Sequence, residues 1–354
     1  MAFNFHKWRK PFARGLAILT GLAVLYSGLW FVIAAQVESG LDSWAAKQRA
    51  HGWTVEHGEI DLSGFPLKWQ MDIEKPLLSR SAGKTPFHWS GPQIQLQMRP
   101  WNLAVIDLQT EGNHRLGYAT AKATESAKLE MGAGYGKLQF SHDGILKELA
   151  FTVEGATLET ALAQNYRFTQ LNARLDLDRP TTLESKPHQI SAFYLKGELF
   201  GLILPNEMKP ALGRTISRIA LSADFLGLAS GTTLQQALSQ WARSGGSLNL
   251  KQIEIGWSKL DISGTGTLAL DGALQPIAAF SGRVSGYSET LDAMADGGLI
   301  KPATAMVTRF ALRAFSKFTG DKKGDRIRVS LTIQDNYLHV GPVKLIKLPK
   351  IIWN

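Results

Sequence analysis

Residues 246–287 read GSLNLKQIEIGWSKLDISGTGTLALDGALQPIAAFSGRVSGY and decide the fold class of this chain. Apolar and polar side chains alternate along much of this stretch, which is the pattern of a β-strand with one apolar and one solvated face. Asp271-Gly272 separates two such runs, and both residue types tolerate the positive φ of a tight hairpin turn. The stretch therefore predicts antiparallel strands joined by hairpins. Its apolar positions are Leu248, Leu250, Ile253, Ile255, Trp257, Leu260 and Ile262.

The same alternation recurs over most of the chain, with about 16 candidate strands between Trp53 and Ile346. Asp143-Gly144 and Asp335-Asn336 lie between further pairs of runs and predict two more hairpin turns. No repeat of alternating strands and helices appears, which argues against a doubly wound enzyme fold. We expect a mainly β (α+β) protein with a large, mostly antiparallel, curved sheet and a few amphipathic helices.

Four helices are expected, at residues 36–50, 232–243, 287–295 and 301–318. Ser288 is the expected N-cap of the third helix, and Gly297-Gly298 is its expected end. In the fourth helix three cations recur every fourth residue, opposite an apolar stripe that includes Val307 and Phe310. A basic amphipathic helix of this kind is typical of a membrane surface. The three membrane-surface candidates are Arg309, Arg313 and Lys317.

An apolar run precedes the β-rich body, because residues 15–35 read GLAILTGLAVLYSGLWFVIAA with Tyr26 as the sole ionisable group. At 1.5 Å per residue these positions reach about 30 Å, the thickness of the hydrocarbon core of a bilayer. The run predicts an uncleaved transmembrane anchor, with a cleaved signal peptide and a buried helix as the alternatives. Basic residues before it favour a cytoplasmic amino terminus. They are Lys7, Arg9, Lys10 and Arg14.

These observations divide the chain into four parts. Residues 1–14 are a cytoplasmic basic tail, 15–35 the transmembrane anchor, and 36–52 a helical extension. Residues 53–354 form an exported β-rich body. The least patterned stretch, residues 178–186, is a possible hinge between two lobes of that body. In a bacterial chain this topology predicts a single-pass inner-membrane protein with a periplasmic body.

The net charge of +9 is unevenly distributed, which weakens any argument for a nucleic-acid partner. Residues 299–328 hold eight basic and two acidic side chains, and the first 35 residues hold four basic and no acidic ones. The rest is nearly neutral, with 27 basic and 28 acidic groups. The chain has no cysteine, so thiolate metal sites are excluded and stability depends on burial rather than disulfides.

Catalytic motifs are weak throughout the chain, and we expect neither an enzyme nor a cofactor. Residues 81–84 match the S-x-x-K pattern of penicillin-recognising enzymes, but neither S-D-N nor K-T-G follows. Residues 132–137 imitate a phosphate-binding loop with the wrong glycine spacing, and are better interpreted as a hairpin between strands. His51 and His57 lie near acidic residues, but a strand would place neighbouring ligands on opposite faces, so no metal site is expected.

Four segments together resemble the bacterial domain-of-unknown-function family 2125. They are GEIDLSGFPLKW at 58–69, the stretch 246–287, LDAMADGGLI at 291–300 and YLHVGPVKLIKLPKI at 337–351. That resemblance implies no catalytic residues. The anchor, the Gly-Phe-Pro turn and the glycine-punctuated strands also resemble AsmA-like envelope proteins, which implies a membrane-anchored, β-rich protein associated with phospholipid movement or outer-membrane assembly.

Two functions remain open. In the first, an apolar groove in the sheet binds or moves phospholipid, and the expected partners are the bilayer and lipid acyl chains. In the second, the sheet closes over an ordinary core, and the protein is a non-catalytic scaffold that contacts other envelope proteins. The two differ in whether the apolar positions of residues 248–262 stay accessible.

Overall fold

The computed structural model describes residues 9–80, 87–119, 124–177, 191–231, 233–318, 326–340 and 343–353. The chain forms two compact units, Met1–Ser126 and Ala127–Asn354. Each unit contains its own antiparallel strands, and the first also contains the apolar amino-terminal helix.

The described residues include four α-helices, at the positions that the sequence predicts. They are α1 (Arg9–Ala50), α2 (Leu234–Arg243), α3 (Tyr287–Asp296) and α4 (Pro302–Phe318). The side-chain oxygen of Thr233 accepts a hydrogen bond from the backbone N–H of Gln236 and so caps α2.

The predicted cap of α3 is wrong, because Gly286 rather than Ser288 precedes the helix. Gly286 has a φ of 69°, and a Cβ atom at this position would lie 1.8 Å from the carbonyl oxygen of Lys259. Close backbone contact with the turn after Trp257 therefore sets the start of α3, and only glycine fits. The predicted end is confirmed, since Gly297 is the C-cap.

Helix α1 joins the expected anchor and its extension without a break. Among the described residues it is the one helix long and apolar enough to cross a bilayer, a test that a signal sequence also meets. Most of its apolar side chains point away from the protein, which does not fit a core helix.

The described part of the first unit contains seven complete strands. They are β1 (Thr54–Glu56), β2 (Ile60–Ser63), β3 (Trp69–Glu74), β4 (Leu77–Arg80), β5 (Phe87–Ser90), β6 (Gln93–Arg99) and β7 (Asn102–Ala119). They pair in the order β1-β4-β5-β7-β6-β3-β2, and all pairs are antiparallel.

The second unit begins within β8 (Thr124–Phe140) and is an antiparallel meander in which each strand pairs with the next. This open, curved sheet confirms the predicted fold class. Its strands are β8 (Thr124–Phe140), β9 (Leu146–Glu159), β10 (Asn165–Asp176), β11 (Ser191–Ile203), β12 (Thr215–Leu226), β13 (Ser247–Trp257), β14 (Leu260–Leu270), β15 (Pro276–Ser285), β16 (Arg326–Gln334), β17 (Tyr337–Val340) and β18 (Val343–Lys347).

The three predicted acidic turns all lie between paired strands. Asp143-Gly144 connects β8 to β9, Asp271-Gly272 connects β14 to β15, and Asp335-Asn336 connects β16 to β17. Asp335 and Asn336 have φ values of 52° and 59°, as a two-residue hairpin turn requires.

The glycine-rich residues 132–137 were expected to form a hairpin, and that prediction is wrong. They lie inside β8 and pair with β9 in an unbroken antiparallel register, which determines their conformation. The expected hinge, residues 178–186, lies outside the described residues. The strands on either side of it, β10 and β11, are paired neighbours within the second unit.

Some of the buried apolar side chains pack together in two small clusters. In the first unit Trp30 and Ala34 of α1 pack against Trp69 of β3. In the second unit Met131 of β8 packs with Val153 and Ala156 of β9. The middle of the second sheet lies outside both clusters, and its apolar side chains define the candidate site.

Candidate functional site

One face of the second sheet carries an uninterrupted row of aliphatic side chains, which we call the aliphatic row. Strand register places its members side by side from β9 to β16. At about 4.8 Å per strand, the seven spacings between them extend about 34 Å across the strands. The aliphatic row consists of Val153, Leu171, Leu199, Ile219, Ile255, Ile262, Val284 and Ile327.

The accessibility of the aliphatic row distinguishes an open face from a closed core. Its two end members, Val153 and Ile327, are buried. The six members between them are each only partly buried, although they occupy the centre of the sheet. A closed core would bury central aliphatic side chains completely. This part of the apolar face is therefore accessible from outside.

The row next to the aliphatic row is shallow, because small residues interrupt it. Its members include Gly197 of β11, Gly264 of β14 and Gly282 of β15, with Leu221 between them on β12. A Cβ atom added at Gly197 would meet no atom within 4 Å, and Leu221 is 38% exposed. Gly197 thus leaves room beside the aliphatic row for an elongated apolar ligand, whereas a Cβ atom at Gly264 or Gly282 would lie 2.9 Å from a backbone oxygen of the neighbouring strand.

The structure places all seven sequence-predicted groove candidates on this one apolar face. Leu250 is buried, and the other six are partly buried. A bulge at Lys251-Gln252 keeps Leu248 and Leu250 on the same face as Ile253 and the later candidates. Leu260 and Ile262 continue the face on β14, and the indole nitrogen of Trp257 donates a hydrogen bond to the Gly213 carbonyl at 2.8 Å.

Helix α2 covers one end of the apolar face. Its Trp241 is buried and stacks on Phe225 of β12 with ring centroids 4.8 Å apart. Phe225 in turn stacks on Phe193 of β11, also at 4.8 Å. The indole nitrogen of Trp241 donates to the Leu226 carbonyl at 2.7 Å, which fixes the helix to the end of its strand.

The opposite face of the same sheet is polar and internally paired. Arg218 contacts Glu198 and Glu254, each at 2.8 Å, and Lys196 contacts Glu198 at 3.1 Å. Hydrogen bonds from Lys196 and Arg218 lower the pKa of Glu198 below its ordinary value. A depression of about 500 Å³ on this face is lined mostly by polar side chains, among them Arg283 and Arg328. The two faces thus differ sharply in polarity.

Helix α4 only partly matches the expected membrane-surface helix. Arg309 forms an ion pair with Asp292 of α3, so this cation already has a partner. The side chains of Arg313 and Lys317 lie outside the described residues. Val307 and Phe310, on the predicted apolar stripe, are 69% and 66% exposed. The stripe therefore faces away from the rest of the protein at these positions.

Sequence reasoning missed a contact that fixes α1 to the first unit. The indole nitrogen of Trp30 donates to the Lys68 carbonyl at 3.3 Å, and that of Trp69 donates to the Trp30 carbonyl at 3.2 Å. The two rings stack with centroids 6.1 Å apart and an angle of 25° between their planes. The residues are 39 positions apart, and no periodic pattern relates them. The sole signal in the sequence for this contact was the aromatic pair Trp30-Phe31 near the end of the apolar run.

Within the described ranges, no group of three or more His, Asp or Glu side chains is arranged to hold a metal ion. Residues 81–84, the S-x-x-K match, lie outside the description. The expectation that the chain is not an enzyme stays a prediction.

A single apolar amino-terminal helix and a large open β-sheet fit a membrane-anchored envelope protein. The family described as "Uncharacterized protein conserved in bacteria (DUF2125)" matches residues 30–349. The chain belongs to this family. No curated protein and no solved structure matches it. The resemblance to AsmA-like proteins stays a prediction.

Proposed function

We propose that this chain is a single-pass inner-membrane protein whose periplasmic body binds phospholipid acyl chains along the apolar face of its second unit. Such binding would allow the protein to hold or move phospholipid in the envelope. The observation that carries the proposal is the partial exposure of the six central members of the aliphatic row. Covering such a surface with an acyl chain removes apolar area from water.

The polarity of the two sheet faces supports a ligand on one side only. Ion pairs of Arg218 with Glu198 and Glu254 satisfy charges on the polar face. The apolar face offers aliphatic side chains and glycines in neighbouring rows, a lining that suits hydrocarbon rather than a polar ligand. A row of about 34 Å is also long enough to accommodate an extended acyl chain.

Photo-crosslinking in living cells tests the proposal directly. The full-length chain carries a benzophenone amino acid at Ile255 in one strain and at Thr265 in a second, and phospholipid is labelled with radioactive phosphate. Ile255 belongs to the aliphatic row, whereas the exposed Thr265 is on the polar face of the adjacent strand. Irradiation should attach labelled lipid at Ile255 and not at Thr265.

An Ile255→Asp variant gives an independent second readout. On an accessible face the new carboxylate remains hydrated, so the melting temperature should stay close to wild type while lipid crosslinking at Leu199 falls. In a closed core an unpaired carboxylate would cost several kcal/mol, comparable to the stability of a whole domain, and the second unit would unfold. Unfolding of this variant, or the absence of lipid at Ile255, would contradict the proposal.

The exposed side chains of α4 favour a second candidate function. Val307 and Phe310 present an apolar surface next to a basic sequence, as a docking helix for another envelope protein does. In that case the chain is a non-catalytic scaffold. Benzophenone at Phe310 would then crosslink a protein, while benzophenone at Ile255 would attach no lipid.

A further inference from the structure

The loop between β2 and β3 lies against the apolar part of α1 rather than beyond its end. The hydroxyl of Tyr26 donates a hydrogen bond to the Pro66 carbonyl. The ring of Phe31 stacks on Phe65 with centroids 5.8 Å apart and an angle of 15° between the planes. Both helix residues belong to the apolar run 15–35.

The length of that run determines how deep these contacts lie. Tyr26 precedes Ala35 by nine residues and Phe31 precedes it by four, or about 14 Å and about 6 Å along the helix axis. If the bilayer boundary were at Tyr26, only about 18 Å of apolar helix would remain to cross a core of about 30 Å. Tyr26, Phe31 and the loop beside them therefore lie within the bilayer when α1 spans it.

The side chains of the loop suit such an environment. Leu67 is 65% exposed and Phe65 is 48% exposed, although the loop is held in place at both ends. Trp101, in the turn immediately before β7, is 67% exposed and borders the same cleft of about 510 Å³. Lys68 and Arg99 also line this cleft, together with Gln97 and Asp107. Exposed tryptophan beside basic side chains is typical of the membrane interface.

Part of the loop backbone is hydrogen-bonded within the protein and does not depend on water. Three of its carbonyl groups accept hydrogen bonds from the protein: Gly64 from the Lys68 N–H, Pro66 from Tyr26 and Lys68 from Trp30. Pro66 has no N–H group that would need a partner. Irregular backbone is tolerated at membrane depth only where it packs against protein or lines a water-filled cavity, and the bonds from Tyr26 and Trp30 hold this loop against α1.

We infer that the Gly64–Lys68 loop and Trp101 form a second membrane contact, immersed in the non-cytoplasmic leaflet beside α1. This inference rests on the proposed function in one respect, namely that α1 spans the bilayer. It goes further because it brings the β-sheet of the first unit into the lipid. The loop would hold that unit close to the surface from which a phospholipid must be taken.

The absence of native cysteine allows a direct test with single-cysteine variants of the full-length chain. Leu67→Cys tests the loop, Leu22→Cys reports on the anchor, and Gln93→Cys is the matched control. Gln93 is exposed at the far end of β6, six residues or about 20 Å from Arg99. Each variant is labelled with the environment-sensitive fluorophore NBD and reconstituted into phosphatidylcholine–phosphatidylglycerol vesicles containing a doxyl-labelled lipid quencher.

Quenching at Leu67 comparable to that at Leu22, with none at Gln93, is the expected result. A label at Trp101→Cys should behave like that at Leu67, which guards against local disturbance by the first substitution. Quenching at Leu22 alone would overturn the second membrane contact and leave the anchor intact. If the label at Leu22 is not quenched either, both the anchor and the second membrane contact are overturned. Equal quenching at Gln93 would also overturn the second contact, because immersion would then not be specific to the loop.

Discussion

His114 is a buried titratable side chain in the first unit, on strand β7. Its ring is 2% exposed and stacks with Trp89 of β5 at 6.0 Å between centroids. Its Nε2 atom lies 3.2 Å from the hydroxyl of Thr110. Burial lowers the pKa of His114 from its ordinary value of 6.5, because the protonated ring would lose its hydration.

This shift predicts a pH dependence of stability. The unfolded chain takes up a proton at His114 more readily than the folded chain does, so the free energy of unfolding rises with pH in that range. The stability that arises from the lowered pKa of His114 should be complete above a pH of about 6.5 and should decline as the pH falls below that value. Urea unfolding of the full-length chain in detergent over a pH series measures this dependence.

The matched variants for that experiment are His114→Phe and His51→Gln. Phenylalanine keeps an aromatic ring beside Trp89 but cannot be protonated, so the decline at low pH should become shallower. The exposed His51 should give the wild-type dependence after substitution. The same decline in all three proteins would assign it to other groups.

At the scale of elements, the position of α2 depends on one aromatic side chain. Trp241→Ala removes the stack on Phe225 and the hydrogen bond to Leu226 and should cost about 3–5 kcal/mol of stability. Trp241→Phe keeps most of the ring contact and should cost less. Leu234, on the same helix, is 56% exposed, and Leu234→Ala should change stability by no more than about 0.5 kcal/mol. Denaturant unfolding compares the three, and equal effects of Trp241→Ala and Leu234→Ala would contradict this role.

Elements with a local signal were predictable from the sequence. The three acidic turns and the end of α3 at Gly297 depend on residues within a few positions of each other. The start of α3 was not predictable, since it depends on the contact of Gly286 with the backbone of Lys259. The hairpin predicted at residues 132–137 was also wrong because of a non-local contact, since pairing with β9 overrides the local preference of these glycines for a turn.

Local sequence patterns likewise predicted only part of the candidate site. Alternation placed Leu248 to Ile262 on one face, and the structure agrees because a bulge at Lys251-Gln252 restores the register. Whether that face is open depends on which other parts of the chain pack against it, and a local sequence pattern does not contain this information. The contact of Trp30 with Trp69 was not predicted, because it joins positions far apart in the sequence.

At the scale of the whole molecule, topology determines which compartment the two units occupy. Four basic residues precede the apolar run, and the first charged side chains after it are Glu38 and Asp42. Positive charges are retained on the cytoplasmic side during insertion. The strands of both units follow the run, so with a single crossing we expect all of them on the opposite side.

Alkaline phosphatase fused after Asn354 should therefore be active in cells, because the enzyme requires the oxidising periplasm, and green fluorescent protein at the same site should remain dark. Phosphatase fused after Arg14 lacks the apolar run and should be inactive, which controls for export by the reporter itself. The chain should also stay in the membrane fraction with its intact mass of 38.8 kDa, because an uncleaved anchor keeps its first residues. Fluorescence of the carboxy-terminal green fluorescent protein would place Asn354 in the cytoplasm and contradict the predicted topology. A mature chain shortened near residue 35 would instead identify the run as a signal peptide, and would remove the helix against which the Gly64–Lys68 loop packs.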